Sequence, residues 1–227
     1  MSPALLKLYN LLALLGVVVL CFGEFQYFAG YSGTNIDMSV AHIALSSPGH
    51  ISCGMFCSFI GVSLMMFVLF PLRVSLYRTS FSMRQWLIAS MLLYLSSILV
   101  FHVAMGFIGF NEQVAMNLDT LHANLALETR AKTQSLFRII TQVCIFMALV
   151  TSVLFSIAVL RKKTCMPWWS VFFTPIPLYI LFKEIPSVCC TIAAPYGGWY
   201  LIASGCLGLF IFFFIIGRCA CRHAATS

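Results

Sequence analysis

Long apolar stretches without charged residues dominate the chain, and short segments rich in charged residues, Pro or Gly separate them. Six stretches reach or approach the roughly 20 residues that a helix needs to cross a membrane. The pattern predicts an all-α, polytopic membrane protein with six transmembrane helices in a bundle, built as a single domain over residues 1–227. The approximate spans are 5–27, 50–72, 85–110, 135–160, 166–185 and 199–217, and residues 218–227 form a short basic tail.

The first span has a second interpretation. Leu11–Val19 is a short apolar segment after a single Lys, as in a signal peptide. No small-residue cleavage site follows it, and the stem of Lys7 can lie along apolar surface while its amine reaches the headgroups. A membrane span is therefore the preferred interpretation.

A helical pattern also lies between the third and fourth spans. Val114, Leu118, Leu121 and Leu125 recur at i, i+4, i+7 and i+11, which is the spacing of one helix face. This pattern predicts an outer amphipathic helix that either lies over the mouth of the bundle or extends the fourth span.

Composition restricts the protein class. Hydrophobic residues make up 61% of the chain and charged residues 8%, and the mean hydropathy is +0.99, whereas soluble domains are about half apolar and about a quarter charged. Soluble globular proteins, coiled coils and secreted disulfide scaffolds are excluded. The formal charge of +7 predicts membrane lipid, not nucleic acid, as a partner.

The charges also predict an orientation. If six helices alternate, all six acidic residues lie on one side, and the other side carries nine basic residues and no acidic one. These nine are Lys7, Arg73, Arg78, Arg84, Arg161, Lys162, Lys163, Arg218 and Arg222. By the positive-inside rule both termini are expected in the cytoplasm. The kind of membrane stays open.

Polar side chains near the outer boundary form the candidate site. A helical rise of about 1.5 Å per residue places a group of them, from four spans, at a similar depth. The group consists of Glu24, His102, Arg138, Gln142, Lys183 and Glu184. Ionisable residues inside a span are costly and mark candidate functional sites. The alternative is that those near span ends reach into the headgroups.

Two prolines interrupt the fifth span. Pro175 and Pro177 each remove a helical hydrogen bond, so a break or kink is expected there. Such a break exposes backbone groups to a substrate in some transporters, and elsewhere it is a simple kink. Small residues at Gly54 and Ser58, and at Ser204 and Gly208, predict close helix packing.

The ten cysteines do not follow one scheme. Four are predicted near the outer boundary, where a disulfide is one option: Cys53, Cys57, Cys189 and Cys190. Three lie beside basic residues, which is a setting for palmitoylation: Cys165, Cys219 and Cys221. The other three are expected to fill apolar space: Cys21, Cys144 and Cys206. His50, Cys53 and Cys57 lack the paired spacing of zinc sites. No metal or cofactor is therefore predicted.

The order of short motifs resembles a prokaryote-type family of six-helix integral membrane proteins of unknown function. The motifs are Gly23-Glu24, His102 with Gly106, Lys163 with Pro167, Trp168, Trp169 and Thr174-Pro175, then Pro195–Gly198 and Ser204–Gly208. Thr174 and Cys206 stand where the family pattern has asparagine. The resemblance implies a six-helix bundle and transfers no chemistry.

Three functions remain open from the sequence. The first is binding or transport of a small polar or ionic solute, or a lipid headgroup, through an outward-facing polar pocket at Glu24 and His102. The second is an intramembrane enzyme that acts on a lipid-like substrate by Glu/His acid–base chemistry. The third is a non-catalytic membrane scaffold.

Overall fold

The computed structural model describes residues 1–30, 43–117, 123–181 and 197–226. Within these ranges every regular element is a helix. The α-helices are α1 (Pro3–Tyr27), α2 (Pro48–Met65), α3 (Leu69–Ser75), α4 (Phe81–Asn117), α5 (Ala123–Leu160), α6 (Pro175–Tyr179) and α7 (Gly197–Thr226), and 3-10 helices occupy Met66–Val68 and Trp168–Phe173.

Five helices in the described part of the chain are long and apolar enough to cross a membrane. They are Pro3–Tyr27, Pro48–Ser75, Phe81–Met116, Ala131–Leu160 and Gly205–Thr226. This finding indicates an integral membrane protein. The predicted span at 166–185 is not among them, because its described part consists of a 3-10 helix and the short helix α6.

The amphipathic pattern was predicted to lie over the mouth of the bundle or to extend the fourth span. Helix α4 continues to Asn117 and α5 begins at Ala123, so Val114 lies on a C-terminal extension of α4 and Leu125 on an N-terminal extension of α5. Leu118 and Leu121 fall outside the described residues. The C-terminal basic residues likewise lie on α7, which continues to Thr226 instead of ending in an extended tail.

Helices α1 and α2 pack backbone against backbone at two pairs of glycines. A Cβ added at Gly16 would lie 2.5 Å from the Gly61 oxygen, and one added at Gly23 would lie 3.0 Å from the Gly54 oxygen. The reciprocal additions are also crowded, at 2.8 Å for Gly61 and 3.0 Å for Gly54. Lipid offers little hydrophobic drive for helices to associate, so such close packing is a main source of attraction between them.

Helix α7 packs antiparallel to α1. Gly217 lies against the Asn10 side chain near the start of α1, and Cys206 lies against Glu24 near its end. The two chain termini therefore lie at one end of the bundle, which we call the terminal end; the opposite end is the distal end.

The remaining long helices pack against this pair. The Thr151 hydroxyl of α5 donates to the Ser90 oxygen of α4, at 3.1 Å, and the Cys165 amide donates to the Ser75 oxygen, also at 3.1 Å. The second contact holds the connection after α5 beside the end of α3, at the terminal end. Buried apolar side chains from α1, α2, α4, α5 and α7 form the larger of two core clusters, and a smaller cluster joins α1, α2 and α4 around Tyr27.

Substitution of Gly16 by Ala is expected to destabilise the protein by about 1–3 kcal/mol, because the added methyl group forces α1 and α2 apart. Thermal unfolding in detergent would measure this as a lower melting temperature. Gly205→Ala is the matched control, since a Cβ there meets nothing within 4 Å. Equal melting temperatures for Gly16→Ala and the parent would contradict the proposed close packing.

Candidate functional site

Glu24 and His102 are in direct contact between α1 and α4. The distance from His102 Nε2 to Glu24 Oε1 is 2.5 Å. The His102 side chain is 5% exposed and that of Glu24 is 16% exposed. Polar side chains with so little exposure are normally hydrogen-bonded within the protein, and here each of the two is the partner of the other.

The second ring nitrogen of His102 determines where the protons are. Nδ1 lies 2.7 Å from the backbone oxygen of Ile98, one turn earlier on α4. A carbonyl oxygen only accepts, so Nδ1 carries a hydrogen. Nε2 and Glu24 then share one further proton, as a neutral acid with a neutral imidazole or as a carboxylate with an imidazolium. Both arrangements have zero net charge, which suits a site of low dielectric constant.

Neighbouring residues hold His102 in place. The Tyr27 hydroxyl donates to the His102 backbone oxygen at 2.7 Å and so joins the last turn of α1 to the middle of α4. One turn after His102, Gly106 leaves room for the side chain of Met55 on α2, which a Cβ would meet at 2.2 Å. The helix that carries His102 therefore approaches both α1 and α2 closely.

Two thiols extend the pair towards α7. Cys206 Sγ donates to Glu24 Oε2 over 3.6 Å, and the Cys21 side chain lies beside that of Cys206. The result is a row of four polar side chains, from Cys21 through Cys206 and Glu24 to His102. The row crosses the contact region of three helices.

A cavity of about 240 Å³ opens beside this row. Residues of α1, α4, α5, α6 and α7 line it, and most of them are apolar, such as Leu20, Ile98, Ala148 and Phe212. The polar members of the lining are Glu24, Tyr94, His102, Thr141, Cys144, Tyr179 and Cys206. This composition is typical of a ligand pocket in which a few polar groups fix the orientation.

The prolines shape one wall of the cavity. Thr174 has an extended backbone, with φ of −79° and ψ of 163°, and separates the 3-10 helix from α6. Pro175 occupies the first helical position of α6 and Pro177 the third, where an amide hydrogen has no partner within the helix. The Ile176 amide instead donates to the Ser152 hydroxyl on α5 at 3.0 Å. These prolines thus begin a short helix.

The other candidate residues lie elsewhere. Arg138 and Gln142 are exposed on α5, and neither lines the cavity. Lys183 and Glu184 fall outside the described residues. Of the four described members of the predicted group, the structure brings Glu24 and His102 together.

Three residues that contribute to the site were not predicted from the sequence as site residues. Cys206 had been expected to be an apolar filler, yet its thiol bonds Glu24. Tyr27 and Tyr94 had not been predicted to contribute to the site. The one available signal was the position of Cys206, where the family pattern has asparagine and a polar partner is expected. Gly208 had been expected to pack closely together with Ser204, and it lines the cavity, as does Gly205.

Comparison with known proteins gives one result. A family model described as a family of unknown function, DUF6796, matches residues 1–219 of the chain. The chain belongs to the DUF6796 family. Membership of DUF6796 confirms the expectation of a family without an assigned function, and it supplies no activity for the site. No curated protein and no solved structure matches this DUF6796 chain.

A double-mutant cycle on Glu24→Ala and His102→Ala is expected to give a coupling energy of about 1–3 kcal/mol, because either single change leaves a buried polar group unpaired. The coupling energy is obtained from the free energies of unfolding of the parent, the two single variants and the double variant, measured by denaturation in detergent. The exposed pair Glu128 and Lys132, also in contact at 2.6 Å, is the control and should couple by about 0.3–0.5 kcal/mol. Similar coupling in both cycles would mean that burial does not strengthen the first pair.

Proposed function

We propose that the cavity binds a small, mainly apolar molecule that carries one hydrogen-bonding group, and that this group lies against Glu24 and His102. The observation that carries the proposal is the position of a buried acid–base pair on the wall of an otherwise largely apolar cavity. Apolar lining favours an amphiphile over an ion or a polar solute, because a desolvated ion needs more partners than this wall offers.

The protonation of the pair favours a neutral headgroup. With one shared proton the pair carries no net charge, and because both of its hydrogens are already bonded, it offers a ligand the free lone pairs of the Glu24 oxygens. A hydroxyl group, which can donate to these lone pairs without adding charge, matches this arrangement. An ammonium or carboxylate headgroup would leave a net charge in the cavity, which is costly there. The proposal is therefore binding of an alcohol-like amphiphile, such as a lipid-derived alcohol.

We further propose six crossings of the membrane. Helix α5 ends at the terminal end, where Cys165 contacts Ser75, and α7 runs towards that same end beside α1. The chain between Leu160 and Gly197 must then return to the distal end. The bond from Ile176 to Ser152 and the position of α6 on the cavity wall support such a return through an interrupted helix.

The charges support an orientation within this arrangement. Basic residues of α3, of the connection after α5 and of the end of α7 belong to the terminal end, whereas Glu24 lies towards the distal end. By the positive-inside rule, the terminal end faces the cytoplasm and the cavity belongs to the outer half of the bundle.

A second candidate function is acid–base catalysis on a lipid-like substrate. The contact between Cys206 and Glu24 favours it, because the carboxylate that accepts from this thiol is a base within reach of a nucleophile. Incubation of the purified protein with lipid extract would reveal product formation. In this case the Cys206→Ser variant should lose the product and retain binding.

The binding proposal predicts that 1-octanol raises the melting temperature of the protein in lipid nanodiscs. At a 1-octanol concentration of about 100 times its dissociation constant, binding is expected to raise the free energy of unfolding by about 2.7 kcal/mol. Octanoate and octylammonium, with the same chain, are expected to raise it less, and potassium chloride not at all.

Gly205→Leu provides the decisive variant, because it adds a bulky side chain to the cavity lining at a position with open space and leaves Glu24 and His102 unsubstituted. It should abolish the shift with octanol. Val153→Leu, on an exposed position of α5, is the control and should retain the shift. An unchanged shift in Gly205→Leu, or equal shifts with all four additives, would overturn the proposal.

A further inference from the structure

A second cavity, of about 810 Å³, lies at the terminal end of the bundle, away from Glu24 and His102. One wall comes from the last turns of α7 and the other from the connection that follows α5. The lining consists of Phe214, Ile215, Arg218, Cys219, Arg222, His223 and Thr226 on α7 and of Cys165, Met166, Pro167 and Trp169 on the connection. No acidic residue belongs to it.

The α7 wall changes from apolar to basic along the helix axis. Phe214 and Ile215 form its first part, Arg218 follows one turn later, and Arg222 one turn after that. Because Arg218 and Arg222 are four residues apart, both guanidinium groups belong to the same face of α7. Trp169, which is 43% exposed, stands opposite. An aromatic ring of this kind commonly lies at the level of lipid headgroups.

The surroundings keep this cavity free of negative charge. No Asp or Glu occurs in the sequence from residue 129 to 183 or from 185 to 227. Burial, aided by the neighbouring Cys219, raises the pKa of the Cys165 thiol to about 12, so this side chain is neutral at physiological pH.

A stack of side chains holds the end of α7 in position. The His223 ring lies on the Tyr77 ring with centroids 3.7 Å apart, and the Arg78 guanidinium lies 5.1 Å from the centre of the same Tyr77 ring. This contact ties the last turn of α7 to the segment after α3. The two arginines are thus carried on a helix end that packs against the bundle.

We propose that this cavity binds an anionic phospholipid, with the phosphate between Arg218 and Arg222 and an acyl chain along Phe214 and Trp169. Guanidinium groups suit this role because their fixed donors match phosphate oxygens. The order of apolar and basic residues along α7 matches the order of acyl chain and headgroup in a lipid. The site is independent of the proposed amphiphile cavity at the other end of the bundle.

Binding of phosphatidylglycerol and phosphatidylcholine to the full chain, measured by native mass spectrometry from detergent, tests the proposal. The parent is expected to prefer phosphatidylglycerol. The double variant Arg218→Gln/Arg222→Gln should bind it about thirty-fold more weakly, at about 1 kcal/mol for each basic residue.

The control variant Arg73→Gln/Arg161→Gln removes the same charge from the terminal end but from outside the cavity. It should bind phosphatidylglycerol within about threefold of the parent. Equal losses in the two double variants would overturn the proposal in favour of a general surface potential. The proposal would also be overturned if both double variants kept the parent's preference for phosphatidylglycerol over phosphatidylcholine. Melting temperatures in phosphatidylcholine verify that each variant is folded.

Inorganic phosphate and Trp169→Ala distinguish a lipid from a soluble anion. A lipid site predicts no stabilisation by millimolar phosphate and weaker phosphatidylglycerol binding in Trp169→Ala, because the acyl chain loses its aromatic wall. Stabilisation by phosphate alone, equal in the parent and in Trp169→Ala, would show that the cavity takes a soluble anion.

Discussion

The close approach of α1 and α2 is the constraint on which the rest of the bundle depends. Two glycine pairs leave no side chain between the backbones, so the rotation of α1 about its own axis has little freedom. Gly23 faces α2, and the next residue along a helix points about 100° away. That rotation turns Glu24 from α2 towards α4 and α7, where His102 and Cys206 meet it. The contact between Glu24 and His102 is thus a consequence of the close backbone packing of α1 on α2.

The long helices could be predicted from the sequence because a charge-free run of sufficient length has few alternatives in a membrane. Where helices end was harder to predict. The amphipathic pattern around Val114 does not say which helix each residue belongs to: Val114 lies on α4 and Leu125 on α5, while the two residues between them fall outside the described part of the chain. The stretch at 166–185 met the length criterion, yet Pro175 and Pro177 occupy the start of a short helix and the preceding turns are 3-10. Apolarity alone cannot distinguish these cases.

The candidate site could be predicted from the sequence only in part, for a geometric reason. Counting residues gives depth along a helix, and depth suffices to place Glu24 near His102. It does not give rotation, so Arg138 could be counted to a similar level although its side chain is exposed. The cavity itself could not be predicted from the sequence, because it depends on space left beside small residues such as Gly205. Thiols and tyrosine hydroxyls also look like ordinary packing residues until a partner is known.

The short distance between His102 and Glu24 has an electrical consequence. A proton that moves between Nε2 and Oε1 travels less than the 2.5 Å that separates these atoms, compared with a hydrocarbon layer of about 30 Å. A membrane voltage of 100 mV does about 2.3 kcal/mol of work on a charge that crosses the whole layer. The corresponding work on this proton is at most about 0.2 kcal/mol, which is below thermal energy. The pair can therefore exchange its proton almost independently of the membrane potential.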